Sequence, residues 1–231
     1  MSWRPILEGL GEAWRLISTA DPQVVEITLR SLQTAGAATI AATIFGLPVG
    51  VLIAMRSFRG KKALKTLLGA LVGVPTVTLG LFLYALFSRN GPLGALELLY
   101  TVPGIAIGEA ILVFPLVVTF TASAVESKDE RLRDLVRTLG ASDLDTSVAV
   151  LREASAGVTL AVVSSFNRAF AELGIATMLG ANIVGLTRVL TTTIALETLK
   201  GEMGLSFALS FILLAVVLAL NFLMAYLRRE S

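Results

Sequence analysis

The sequence contains no cysteine and no histidine. That excludes disulfides, thiolate or imidazole metal ligands, histidine-ligated haem, and both Ser-His-Asp and Cys-His catalysis. Charge is scarce too: 16% of residues are charged, against about 25% in an ordinary soluble domain. A net charge of +2 is too small to suggest a nucleic-acid partner. No Gly-x-x-x-x-Gly-Lys-Ser/Thr run occurs, so the chain cannot hold ATP as a P-loop protein does. The first 25 residues carry charge throughout, without an unbroken apolar run, and no cleavable signal peptide is expected.

What is present is apolar sequence in long blocks, with a mean hydropathy of +0.81. A bilayer core of about 30 Å needs about 20 apolar residues in a helix. Leu32–Met55, Thr66–Phe87, Leu98–Val125, Ala154–Gly180 and Leu205–Leu227 meet that requirement, and together they predict an all-α integral membrane fold with about five transmembrane helices. Glu109 interrupts the third span, while Asn167, Arg168 and Glu172 lie inside the fourth. The expected division is an N-terminal external or interfacial segment, 1–27, followed by a transmembrane domain, 28–231.

Basic residues set the orientation. Loop 56–65 carries Arg56, Arg59, Lys61, Lys62 and Lys65; loop 126–153 carries Lys128, Arg131, Arg133, Arg137 and Arg152. Both loops and the C-terminus are therefore expected in the cytoplasm and the N-terminus outside. Residues 3–19 have amphipathic spacing, with Trp3, Ile6, Leu7, Leu10, Trp14 and Ile17 near one face, which suits either the lipid interface or the bundle surface. Residues 181–203 are too polar to span and predict an external loop with a short helix over Leu190–Leu199; the threonines at 191–193 would line its mouth. Gly46/Gly50, Gly69/Gly73 and Gly104/Gly108 each allow close helix approach.

Segment 126–153 is long, charged and helix-prone. Leu132, Leu135, Val136 and Leu139 recur at helical spacing, Gly140 ends that helix, and Ser142 with Asp145 signals a new one. Helix, glycine turn, helix on the cytoplasmic face suits either a plain connector or a docking element for a soluble partner. The stretch Asp134-Leu-Val-x-x-x-Gly140, then nine residues, then Val150, resembles the cytoplasmic EAA loop of ABC importer permeases. Gly140 matches the family glycine, Asp134 its Glu and Val150 its Ile; Leu135 and Val136 replace the two alanines, and Arg152 and Glu153 replace the final Leu-Pro. The resemblance implies a coupling helix seated on an ATPase, with contact centred on Gly140, Ala141, Ser142 and Asp143.

Asn167-Arg-Ala-Phe-Ala-Glu-Leu-Gly174 is similar to the Arg-Ala-x-x-Glu-x-Gly stretch of molybdate, tungstate and sulfate permeases. Met178 to Thr198 resembles the tungstate type more specifically. The likeness, covering roughly 30–227, implies two separate ABC ATPase subunits that use ATP, an external oxyanion-binding protein, a prokaryotic plasma membrane, and no cofactor on this chain. Five helices are too few to enclose a wide path, so a homodimer about a twofold axis is expected.

Ser164, Arg168 and Glu172 are spaced by four and would share one face of the fourth helix. A charge near mid-bilayer costs at least about 2.5–3.5 kcal/mol on insertion scales, so that face should meet protein or water rather than lipid. Arg168 would pair with Glu109 or Glu172, either to hold the bundle together or to take part in anion passage. The rival function is an ion-coupled secondary transporter or channel. It would need inverted repeats, which the sequence lacks, and would leave the docking-type loop without a role.

Overall fold

The computed structural model describes residues 4–128, 138, 140 and 142–227, and among these residues every regular element is a helix. In chain order they are α1 (Arg4–Ser18), α2 (Pro22–Met55), α3 (Lys61–Val72), α4 (Thr76–Phe87), a 3-10 turn at Gly94–Leu96, α5 (Val102–Glu126), α6 (Asp143–Glu153), α7 (Ser155–Phe170), α8 (Gly174–Gly180), α9 (Leu190–Lys200) and α10 (Met203–Leu227).

Three of them, α2, α5 and α10, are long and apolar enough to cross a membrane alone. α2 starts on a strong signal: Asp21 accepts from the backbone N–H groups of Gln23 and Val24, and Pro22 opens the helix. Its 34 residues span about 50 Å, beyond the bilayer core. It runs through the expected 27/28 boundary, so no structural division falls there.

The second and fourth expected spans are not straight helices. α3 and α4 meet at 96°; α6, from the expected cytoplasmic loop, meets α7 at 73° at the start of the fourth span, and there are up to five crossings if each bent pair counts as one. Pro75 explains the first bend: it lacks an N–H and disfavours helical geometry at Val74. The fourth span breaks again after Phe170, and α8 is a separate short helix.

α5 is the hub. Ile105, Val113, Val117, Val118 and Val125 are fully buried, with 0% of their surface exposed, and the helix touches α2, α3, α7 and α8. Its contact with α2 depends on the Gly46/Gly50 pair, where a Cβ at Gly50 would stand 2.8 Å from the Thr121 Cβ. The other two glycine pairs do not bring helices together in this way. Gly69 faces open space, while Gly104 lies against its own preceding loop and only Gly108 meets another helix, at Ile175 of α8.

The bundle has two chemically distinct ends. One gathers the close of α2, residues 56–65, Glu126 and α6, with lysines and arginines throughout. The other gathers the start of α2 and the 180–200 region, where Arg30 donates to the Gly185 carbonyl and Leu190 N–H to Ser31 Oγ. The expected short helix in this region is α9. α1 packs on the start of α10 through Gly9 and the buried Ala13, and it still exposes Leu7 and Trp14 on its far side. The bundle-surface and interface readings of α1 are therefore compatible. Trp3 lies outside the described residues.

Candidate functional site

Two constellations were expected from the sequence, and the structure places them at different depths. At the basic end, Gly140 has φ +84° and is exposed, and no described residue comes within 4 Å of where a Cβ would stand. Ser142 then starts α6 with a full capping box: its Oγ accepts from Asp145 N–H at 3.2 Å, and Asp145 Oδ2 accepts from Ser142 N–H at 3.2 Å. The Ser142 hydroxyl, which donates to Asp145 Oδ2 at 2.6 Å, and then the Ser142 N–H hold the Asp145 carboxyl below the usual carboxylate range. Ser142 and Asp143 are exposed, as is Leu144 at 79%. Val150, by contrast, is fully buried among Ile53, Ala54, Val118, Ala122 and Val125. α6 thus presents its first turn outward and is anchored by its third. Asp134 and Ala141, and the helical repeat Leu132, Leu135, Val136 and Leu139, lie outside the described residues.

Deeper in the bundle, the arginine inside the fourth span pairs with Glu172 rather than Glu109. Arg168 Nη1 stands 3.4 Å from Glu172 Oε2. The expected helical stripe is corrected in one respect: α7 ends at Phe170, so Ser164 and Arg168 share a helix but Glu172 sits in the turn after it. The reason is local. Glu172 Oε1 accepts the Ile175 N–H at 3.1 Å, so a side-chain carboxylate supplies the acceptor that a continuing helix would have taken from its own backbone. Glu172 is buried, with 1% of its side chain exposed, while 39% of Arg168 is open. An arginine has five N–H donors, and this pair leaves most of them for another acceptor.

Glu109 on α5 is buried and forms no ion pair among the described residues; its Oε2 has no hydrogen-bond partner there. Asn167 Oδ1 is likewise buried and unpartnered, and Ser164 is half-buried.

The threonines at 191–193 do not present free hydroxyls to a mouth. Thr191 donates to the Glu172 carbonyl at 2.6 Å, Thr192 to Asn182 Oδ1 at 2.9 Å, and Thr193 to the Val189 carbonyl at 2.7 Å. The first two fasten α9 to the turns on either side of α8, and the third bonds within the first turn of α9 itself.

Two ionic groups were not anticipated from the sequence. Arg188 pairs with Glu197 at 3.6 Å, both almost wholly buried, and Lys200 joins Glu197 at 3.0 Å. At the basic end, Lys61 and Lys65 converge on Glu126. The Arg188–Glu197 spacing of nine residues and the long separation of Lys65 from Glu126 carry no local periodicity to reveal them.

A cavity of about 600 Å³ lies between α2 and α5 and is walled by Ala37, Ala41, Phe45, Ala106, Ile107 and Phe114. It carries no charged side chain and suits lipid or a packed helix, not an anion.

The profile of the family described as binding-protein-dependent transport system inner membrane component matches residues 46–230. The tungstate uptake system permease protein of Peptoclostridium acidaminophilum is 36% identical over 97% of this chain and 99% of its own. A probable anion ABC transporter permease protein of Haloferax volcanii is 37% identical over 90% and 92%. The sulfate transport system permease protein of Escherichia coli is more distant, at 29% over 96% and 79%. In fold, the chain resembles one from the inward-facing MetNI methionine ABC transporter, with a TM-score of 0.71 at 17% identity, covering 90% of this chain and 95% of that one.

Proposed function

The chain belongs to the family of binding-protein-dependent transport system inner membrane components, the permease subunits of ABC importers, and from that premise we propose that its cargo is a small oxyanion, tungstate first and molybdate second. The observation that carries the cargo is the match along nearly the whole of both chains to a tungstate uptake permease. The half-open Arg168, with donors left over after Glu172, is consistent with anion passage.

In this reading the basic end faces the cytoplasm of a prokaryotic cell, as the positive-inside rule requires, and the 180–203 region faces the binding protein outside. The segment that carries the exposed Gly140, Ser142 and Asp143, anchored by the Ser142–Asp145 box and the buried Val150, docks on an ABC ATPase. That partner binds and hydrolyses ATP; this chain carries no cofactor and makes or breaks no covalent bond. Two copies enclose the path, each with its own ATPase. The apolar α2–α5 cavity offers a surface for that pairing or for lipid.

The test is reconstitution. The chain is expressed with its neighbouring ATPase and binding protein, and the complex is placed in proteoliposomes. ATP-driven tungstate uptake that needs all three components is expected. Uptake driven by an ion gradient without ATPase would overturn the reading, and uptake of sulfate but not tungstate would overturn the cargo.

A further inference from the structure

Glu126 is the last residue of α5 and the first of the docking segment. Both its oxygens are taken: Oε1 stands 3.0 Å from Lys61 Nζ and Oε2 2.5 Å from Lys65 Nζ. Lys61 and Lys65 are four residues apart and share one face of α3. Lys61 Nζ also donates to the Ala54 carbonyl in the last turn of α2, at 3.2 Å. One carboxylate therefore gathers the ends of α2, α3 and α5 at a single point. A second pair, Lys128 with Glu153 at 3.7 Å, ties the start of the docking segment to the end of α6.

α3 has little else to hold it. None of its residues is buried, and only Leu64 and Leu68 rest against the Ile53, Val118 and Val125 cluster. α4, on the far side of the 96° bend, belongs to a different packing group: Gly80 lies against Met178 of α8, and Gly174 of α8 lies against Thr76. The Gly73–Pro75 break thus joins a helix attached to the basic end with one attached to α8, and α8 is the helix that Glu172 caps.

We propose that Lys61, Lys65 and Glu126 are positioning residues that make α3 move as one body with the end of α5, so that displacement of the docking segment is passed through the α3–α4 break to α8 and the Arg168–Glu172 turn. This rests on the docking reading above. The alternative role, local stability alone, predicts little, because half-exposed ion pairs contribute little to folding.

The experiment measures tungstate taken up per ATP hydrolysed in proteoliposomes of the whole complex. The wild-type complex is the control: without ATP-driven uptake there, the proposed function fails, not the tether. Glu126→Gln, and separately Lys61→Gln/Lys65→Gln, are expected to assemble and hydrolyse ATP while uptake per ATP falls about threefold or more, a coupling effect of the size that interacting residues show. The chain has no cysteine, so Lys65→Cys/Glu126→Cys can be joined by a bifunctional thiol reagent. The ratio should be low before cross-linking and restored after it. An unchanged ratio in the neutral variants overturns the proposal, as does a lowered ratio that cross-linking fails to restore. Should Glu126→Gln fail to assemble, the lysine pair and the cross-linked complex decide by the same ratio.

Discussion

Arg168 and Glu172 meet at 3.4 Å across the end of a helix rather than along one, and the same carboxylate caps the next helix by accepting the Ile175 N–H. The two partners are therefore unequal. Removing Glu172 strands a guanidinium and a buried N–H at once; removing Arg168 leaves a carboxylate that still holds Ile175.

Glu172→Ala should accordingly lower stability by about 1–3 kcal/mol, the range for a buried donor, here the Ile175 N–H, left unsatisfied. Arg168→Ala should cost about 1 kcal/mol or less, because 39% of its side chain is open and solvent screens the pair. Thermal unfolding of the purified chain orders the two variants. If Arg168 serves the anion, its variant should lose far more uptake than stability. Equal destabilisation by both changes would show that the cap contributes nothing.

The glycine pairs make a second contrast. A Cβ at Gly50 would sit 2.8 Å from both Thr121 Cβ and the Val118 carbonyl, and that carbonyl belongs to the α5 backbone and cannot swing aside. Gly50→Ala should force α2 from α5 and cost about 1–3 kcal/mol. Gly69→Ala meets nothing within 4 Å and should stabilise by up to about 1 kcal/mol through helix propensity. Matching unfolding midpoints for the two would refute the close α2–α5 contact.

How far the sequence reaches is clear at particular residues. Ser142 and Asp145 formed the expected box because capping is local, needing only three residues of separation. Arg168 found a carboxylate four residues on, although the helix that would have brought them together ended between them. The bend at Gly73–Pro75 was not legible as a 96° turn, because hydropathy counts apolar residues and is blind to direction. The Lys65–Glu126 contact spans 61 positions and exists only once α3 lies on α5. Thr191 and Thr192 illustrate the same limit: their hydroxyls look free in a polar stretch, but three-dimensional packing brings them the Glu172 carbonyl and Asn182 Oδ1.

Orientation gives a third prediction. Single cysteines can be introduced without background, since none is native. Asn90, exposed in the connection after α4, should react with a membrane-impermeant thiol reagent added to intact cells, whereas Ser57 and Ser127, exposed at the basic end, should react only after permeabilisation. Labelling of Ser57 from outside would invert the whole arrangement and move the docking segment away from any cytoplasmic ATPase.

Gly140 gives the most direct test of docking. Its φ of +84° is left-handed, and among the described residues nothing lies within 4 Å of a Cβ there, so backbone strain and the partner's surface should decide what is tolerated. A β-branched residue in this region is strained by about 1–2 kcal/mol, and its methyl groups would project from an exposed turn. Asparagine tolerates the left-handed region far better and adds a polar side chain of similar size. Gly140→Val should therefore assemble poorly with the ATPase and lose transport-coupled hydrolysis, while Gly140→Asn should keep the turn and lose less. If both variants fail equally in a complex that still forms, bulk at the contact dominates over turn geometry. If both retain full coupling, the turn is a connector and does not touch the ATPase. Co-purification of the ATPase, followed by hydrolysis with and without loaded binding protein, reads all of these outcomes.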